Sequence, residues 1–139
     1  MPFRGRGEAE IARALESGRR VIHISSHSFT PVLDGVVRQA DVGLLYDPAR
    51  AGEAALCKIW LSNLKAMTPD IRVRRNYPYT GKSDGFTAWL RRRFPPDAYI
   101  GIEVEINQAI VLARNRHWQR LRRLLITSLT QALGPSGGR

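Results

Sequence analysis

Val21-Ile22-His23-Ile24-Ser25 is an apolar run that reaches His27 two residues later and then breaks into Ser28-Phe29-Thr30-Pro31. An apolar strand that ends on a histidine beside a polar loop puts an imidazole at the rim of a sheet. In open α/β sheets, the rim at the carboxyl ends of the strands is where ligands and metals gather. The run is apolar at most positions, as expected of a strand covered on both faces. A side-chain period of two places His23, Ser25 and His27 on one of those faces.

Outward from this strand, helical and extended patterns alternate. Residues 7–17 read as a short helix with Ile11, Ala14 and Leu15 on one side, stopped by Gly18. The first strand spans 20–26. An irregular loop then runs from Ser28 towards Asp41, turning at Asp34-Gly35. Val42 to Tyr46 is a second short strand. A helix from Arg50 to Met67 carries Ala55, Leu56, Ile59, Trp60 and Leu64 at helical spacing, and Pro69-Asp70 closes it. Ile71 to Arg75 is strand-like, and Asn76 to Gly81 is a loop of turn formers. Ser83-Asp84 can cap a helix from Gly85 to Phe94, with Phe86, Trp89 and Leu90 inward. Residues 99–106 form the third strong strand. A last helix, Arg116 to Leu133, buries Trp118, Leu121, Leu125 and Leu129, turns Arg116, Arg120 and Arg123 outward, and leaves a tail at 134–139 that should fray. This alternation predicts an α/β fold, a mostly parallel mixed sheet flanked by helices, in a single domain over residues 1–139.

The chain has 139 residues, enough for one core. No apolar run approaches the ~20 residues of a membrane span. The start, Met1-Pro2-Phe3-Arg4-Gly5-Arg6, lacks the apolar centre of a signal peptide. One cysteine, Cys57, excludes an internal disulfide and fits a reducing, cytoplasmic setting. Its apolar helical context predicts a packed, inert thiol. The formal charge of +10 comes from 22 Lys and Arg against 12 Asp and Glu. Most of those cations are arginines, whose planar fork grips carboxylates and phosphates. A field this positive favours anionic partners, small or polymeric.

Two carboxylates, Glu103 and Glu105, lie on one side of the strand 99–106. An ionised group flanked by Ile and Val is costly there, which invites a raised pKa or a cation between the two. Such a carboxylate suits general-base work; salt bridges to the arginines are the plainer reading. His23 reads as a buried, hydrogen-bonded imidazole and His117 as an exposed one. His27 stands evenly between ligand and structural histidine. The loop Arg74 to Lys82 combines cations, an amide and phenols. It either holds a carboxylate through charge-assisted hydrogen bonds or forms a solvated crossover.

Four segments then occur in a familiar order. They are His27-Ser28-Phe29-Thr30-Pro31 followed by Arg38; Asp41-Val42-Gly43-Leu44-Leu45-Tyr46-Asp47; Arg75-Asn76-Tyr77-Pro78-Tyr79; and Gly101-Ile102-Glu103-Val104-Glu105-Ile106-Asn107-Gln108. Together, over residues 18–108, they resemble the N-formylglutamate amidohydrolases. The resemblance implies a fold like that of the zinc exopeptidases and zinc-dependent hydrolysis of an N-acyl acidic amino acid, a small anionic substrate that suits the positive charge. It makes His27 the last of three protein zinc ligands. Glu105 best matches the general base, with Glu103 the close second. Arg38, Asn76 and Tyr79 fall on the substrate side.

In that family a first zinc-binding motif, a histidine with a nearby acidic ligand, lies upstream of the His-Ser-Phe-Thr-Pro segment. Nothing before His27 supplies it, because Glu8, Glu10 and Glu16 have no histidine partner. A catalytic zinc keeps three protein ligands and a water. The expectation is therefore the C-terminal part of such a hydrolase, with an incomplete zinc site and little turnover alone. An exposed sheet edge through which copies associate would follow. A second reading is a basic nucleic-acid-binding module, motivated by residues 114–123 and Arg91-Arg92-Arg93. A third is a noncatalytic remnant serving as an interaction domain.

Overall fold

The computed structural model describes residues 5–29, 32–33, 35–37, 40–77, 85–112 and 116–134. In chain order the elements are α1 (Arg6–Glu16), β1 (Val21–Phe29), β2 (Val32–Leu33), β3 (Val36–Val37), β4 (Val42–Leu45), α2 (Ala51–Met67), β5 (Val73–Arg75), α3 (Gly85–Arg93), β6 (Tyr99–Asn107), α4 (Gln108–Leu112) and α5 (Arg116–Leu133). Four strands form one sheet in the order β1-β6-β4-β5, and β2 and β3 make a small antiparallel pair. β1 pairs parallel to β6, β4 parallel to β5, and β4 antiparallel to β6. The α/β architecture with a mostly parallel mixed sheet is thus as expected.

Three details differ from the sequence reading. β1 continues through Phe29, so His27 lies within a strand. The segment after it contains the β2–β3 pair, whose turn places Gly35 at φ 77°. A short helix, α4, follows β6, and the Asn107 side-chain oxygen accepts from the Ala109 N–H at 3.0 Å to open it. Gly18 ends α1 as expected, at φ 87°, a conformation that costs glycine little. The Ser83-Asp84 cap and the tail beyond Gly134 lie outside the described residues.

The main core fills the space between one sheet face and α2 with α5. It holds Val42, Leu44, Ile102, Val104 and Ile106 from the sheet, with Leu56, Trp60 and Leu64 from α2 and Leu121 and Leu125 from α5. Trp60 joins the two helices: its indole N–H donates to Ser128 Oγ at 2.9 Å and to the Leu125 carbonyl at 3.2 Å. α2 is rotated from the expected face, burying Cys57 and leaving Ala55 and Ile59 exposed. A smaller core closes the other sheet face near the start of β1 and β6. There Leu15 of α1 meets Phe86 and Leu90 of α3 and Tyr99 of β6.

The elements around β6 are tied by a buried ionic knot. Glu53, wholly buried in α2, accepts from the backbone N–H groups of Asp47 at 2.9 Å and Gly101 at 3.1 Å. Arg91 of α3 grips the same carboxylate, Nε to Oε2 at 3.0 Å and Nη2 to Oε1 at 2.9 Å, and also donates to the Gly101 carbonyl at 2.8 Å. Arg50 lies 3.4 Å from Glu53 and spends its remaining donors on the carbonyls of Arg91, Phe94 and Tyr99. Bidentate pairing with extra backbone bonds offsets the desolvation of all three charges. Arg91 is therefore an internal residue. It does not belong to a basic surface with Arg92 and Arg93.

Two outcomes follow. Glu53→Ala leaves two buried guanidinium groups uncompensated and should cost about 3–5 kcal/mol in urea denaturation. Cys57 has its thiol pKa pushed up to about 12, chiefly by burial and then by the charge of Glu53. The folded state thus keeps a proton that the unfolded thiol loses at lower pH, so stability falls as pH rises from about 9 towards about 12. Cys57→Val should lose that alkaline sensitivity, measured as urea midpoints across pH.

Candidate active site

The register of the sheet decides which side chains meet. Across the parallel pair, Ser25 stands opposite Glu103 and His27 opposite Glu105. On the other side of β6, Leu45 stands opposite Glu103 and Gly43 opposite Glu105. Registered partners point to the same face. His27, Glu105 and Gly43 therefore form one row across three strands, and Ser25, Glu103 and Leu45 form the next. This face is turned away from the main core, whose strand residues occupy the alternate positions.

The two carboxylates are 5 % and 6 % exposed, whereas His27 is exposed. An imidazole at the solvent edge thus fronts two buried acids. The register places Glu105, Glu103 and His27 on one face of the sheet. Ser25 Oγ, buried between the histidines of β1, has no hydrogen-bond partner among the described residues.

His23 occupies the inner row. Its Nδ1 is 2.9 Å from the Tyr99 hydroxyl, and its ring meets Phe86 edge-on with centroids 5.9 Å apart. The imidazole is hydrogen-bonded, as the sequence suggested, but only half-buried. Tyr99 reaches it by folding back over Gly101, where a Cβ would overlap the phenol. The inner end of the face is therefore closed by aromatics, and His27, at the other end, is exposed.

The segment after β5 forms the wall beside Glu105. Asn76 adopts the left-handed region at φ 52°, a conformation asparagine tolerates better than most residues. Its N–H donates to the Leu44 carbonyl at 2.9 Å, and its Oδ1 accepts from the Tyr46 N–H at 3.0 Å. Asn76 thus fastens the loop to β4, and its amide oxygen is committed there. The next residue lies over the sheet: a Cβ at Gly43 would overlap the Tyr77 carbonyl oxygen. The Arg74 guanidinium covers the Tyr77 ring at 4.6 Å from its centroid. Sequence reasoning did not single out Gly43, although a glycine inside a strand signals close backbone approach. Arg38 and Tyr79, the other substrate-side candidates, lie outside the described residues, as does the His117 side chain.

Among the described residues, no group of three His, Cys, Asp or Glu converges to hold a metal ion. His27 and Glu105 supply one imidazole and one carboxylate, short of the three protein ligands that a catalytic zinc keeps. The described residues do not by themselves fit that ion. No helix among them is long and apolar enough to cross a membrane.

Gly43→Ala forces either β4 or the 76–77 backbone to move. We expect a loss of about 1–3 kcal/mol in urea denaturation, as for other overpacked sites. Amide signals of Asn76 and Tyr77 should shift in NMR spectra.

Comparison with known proteins bears on the family and the fold. The family model described as N-formylglutamate amidohydrolase matches residues 1–112. Among solved structures, a gene product from Agrobacterium tumefaciens is similar at a TM-score of 0.66 and 30 % identity, over 91 % of this chain and 48 % of that one. The N-formylglutamate amidohydrolase from Ralstonia eutropha is similar at a TM-score of 0.63 and 21 % identity, over 96 % of this chain and 51 % of that one. A search of curated proteins gave no significant match. The chain spans about half the length of the solved structures it resembles. By the extent of the family match and the fold it shares with these structures, the chain belongs to the N-formylglutamate amidohydrolase family.

Proposed function

We propose that this chain carries the imidazole-and-carboxylate half of a centre that hydrolyses the amide of an N-acylated acidic amino acid, of the N-formylglutamate type. The observation that supports this most is the pairing of an exposed His27 with a buried Glu105 across adjacent strands, on the face whose inner end is closed by aromatics. Glu105 is the general base. An ionised carboxylate offers only acceptors, so its oxygen takes the proton from a water positioned beside His27. Glu103, two residues back on the same face, sets the local negative potential and is the alternative base. The Asn76–Tyr77 wall orients the amide, and the positive field of the chain attracts the substrate carboxylates.

Zinc enters this proposal only as an ion held jointly by His27 and donors from outside the described residues. No proton transfer above depends on it. The single, buried Cys57 supports a reducing, cytoplasmic setting. The nucleic-acid reading loses one of its motivating cations, because Arg91 is enclosed with Glu53.

Two measurements test the proposal. Zinc titration followed by calorimetry should show weak binding that His27→Ala abolishes. Formate release from N-formyl-L-glutamate should fall about 10²-fold or more in Glu105→Gln, the usual weight of a general base. Metal binding and hydrolysis that are both indifferent to these two substitutions would refute it.

A further inference from the structure

The register that aligns His27 with Glu105 continues across the sheet. Glu105 stands opposite Gly43 of β4, and Gly43 stands opposite Arg74 of β5. His27, Glu105, Gly43 and Arg74 thus form one row through the 4-stranded sheet, all on the face of the candidate site. Val73 and Arg75, the neighbours of Arg74, register with Val42 and Leu44 and so take the opposite face, that of the main core. Arg74 is therefore the only cation of β5 on the site face.

Its surroundings set it apart from the arginines nearby. Arg72 pairs with Asp41 at 3.0 Å, and Arg50 and Arg91 are committed to Glu53. Arg74 is exposed and forms no ion pair among the described residues. It is held instead by the Tyr77 ring, with the guanidinium 4.6 Å from the ring centroid. Tyr77 lies over Gly43, the position between Arg74 and Glu105 in the row, so the guanidinium rests on the wall that borders Glu105. A guanidinium seated on an aromatic ring loses freedom of movement, while its N–H donors stay available to an oxyanion.

An anionic ligand needs such a group here. The buried carboxylates Glu103 and Glu105 repel it at close range. The overall charge of +10 attracts it but does not orient it, because exposed charges are screened beyond about 8 Å. With strands about 4.8 Å apart, the Arg74 backbone lies about 10 Å along the row from that of Glu105, and its long side chain covers part of the distance. The remainder suits a ligand whose charged end is several bonds from its amide.

We infer that Arg74 is the specificity-determining residue of the candidate site. Its guanidinium, seated on the Tyr77 ring, receives the side-chain carboxylate of an N-acyl acidic amino acid whose amide lies beside Glu105. The position of the amide rests on the proposed function; the capture of the carboxylate rests on the row and the Tyr77 contact.

The test is equilibrium binding, read by calorimetry, and needs no turnover. N-formyl-L-glutamate should bind about tenfold tighter than N-formyl-L-glutamine, which has the same shape without the side-chain charge. Arg74→Ala should erase that preference, and Arg74→Lys should keep part of it. Arg75→Ala removes the same charge from the opposite face and should leave the preference intact, which separates position from overall field. Urea midpoints should stay unchanged in these variants, since both arginines are exposed. An unchanged preference in Arg74→Ala would overturn the inference. So would an equal loss in Arg75→Ala, or a folded chain that does not bind N-formyl-L-glutamate. A preference that depends on Arg74, without formate release that depends on Glu105, would sink the functional proposal and leave the carboxylate seat intact. Formate release that depends on Glu105 but is as selective in Arg74→Ala as in the parent would do the reverse.

Discussion

The structure depends on the carboxylate of Glu53. It has no contact with solvent, yet it accepts from two backbone N–H groups and from Arg91 and forms an ion pair with Arg50. One of those N–H groups is that of Gly101, in the strand that also carries Glu103 and Glu105. Through it, the start of α2, the end of α3 and the middle of β6 are held in a fixed relation. A buried charge network of this kind contributes little net stability compared with apolar packing, but it penalises any arrangement in which a member is left alone. It fixes the height of β6 relative to its helices, and therefore the height of the two acids.

From that height the sheet register does the rest. A slip of one residue between β1 and β6 would carry His27 to the opposite face and into the main core. The apolar alternation of Ile22 and Ile24 against Ile100, Ile102 and Val104 forbids the slip, because each must stay on the helix-covered side. The juxtaposition of imidazole and acid is thus a by-product of the hydrophobic pattern. The glycines at 43 and 101 then let a loop carbonyl and a phenol approach the same face closely.

Much of this was legible in the sequence. The strands β1, β4 and β6 and the helices α1, α2, α3 and α5 carry strong periodicity, and the shared face of Glu103 and Glu105 follows from their spacing. His23 was readable as a hydrogen-bonded histidine because it is flanked by isoleucines. Other features were not legible, for physical reasons. α2 buries Glu53 and exposes Ile59, because Glu53 turns inward to Arg50 and to the sequence-distant Arg91, and periodicity is blind to such partners, whereas the packed Cys57 was expected. Arg91 looked like a member of a basic triplet, since nothing local distinguishes it from Arg92 and Arg93. The partner of His27 depended on pairing between strands far apart in sequence, which a family resemblance suggested but spacing could not.

An inner strand of the sheet, β6, is the last strand among the described residues. β6 separates β1 from β4, so Val21 waits for Tyr99 before it gains a strand neighbour, whereas Val42 pairs first with Val73 of β5. Closing such distant contacts is slow, because the intervening loop entropy is lost before the pairing rewards it. During synthesis on the ribosome, the apolar run of β1 therefore remains without its β6 partner until most of these residues have emerged. An apolar strand kept waiting in this way is the part of the nascent chain most open to aggregation.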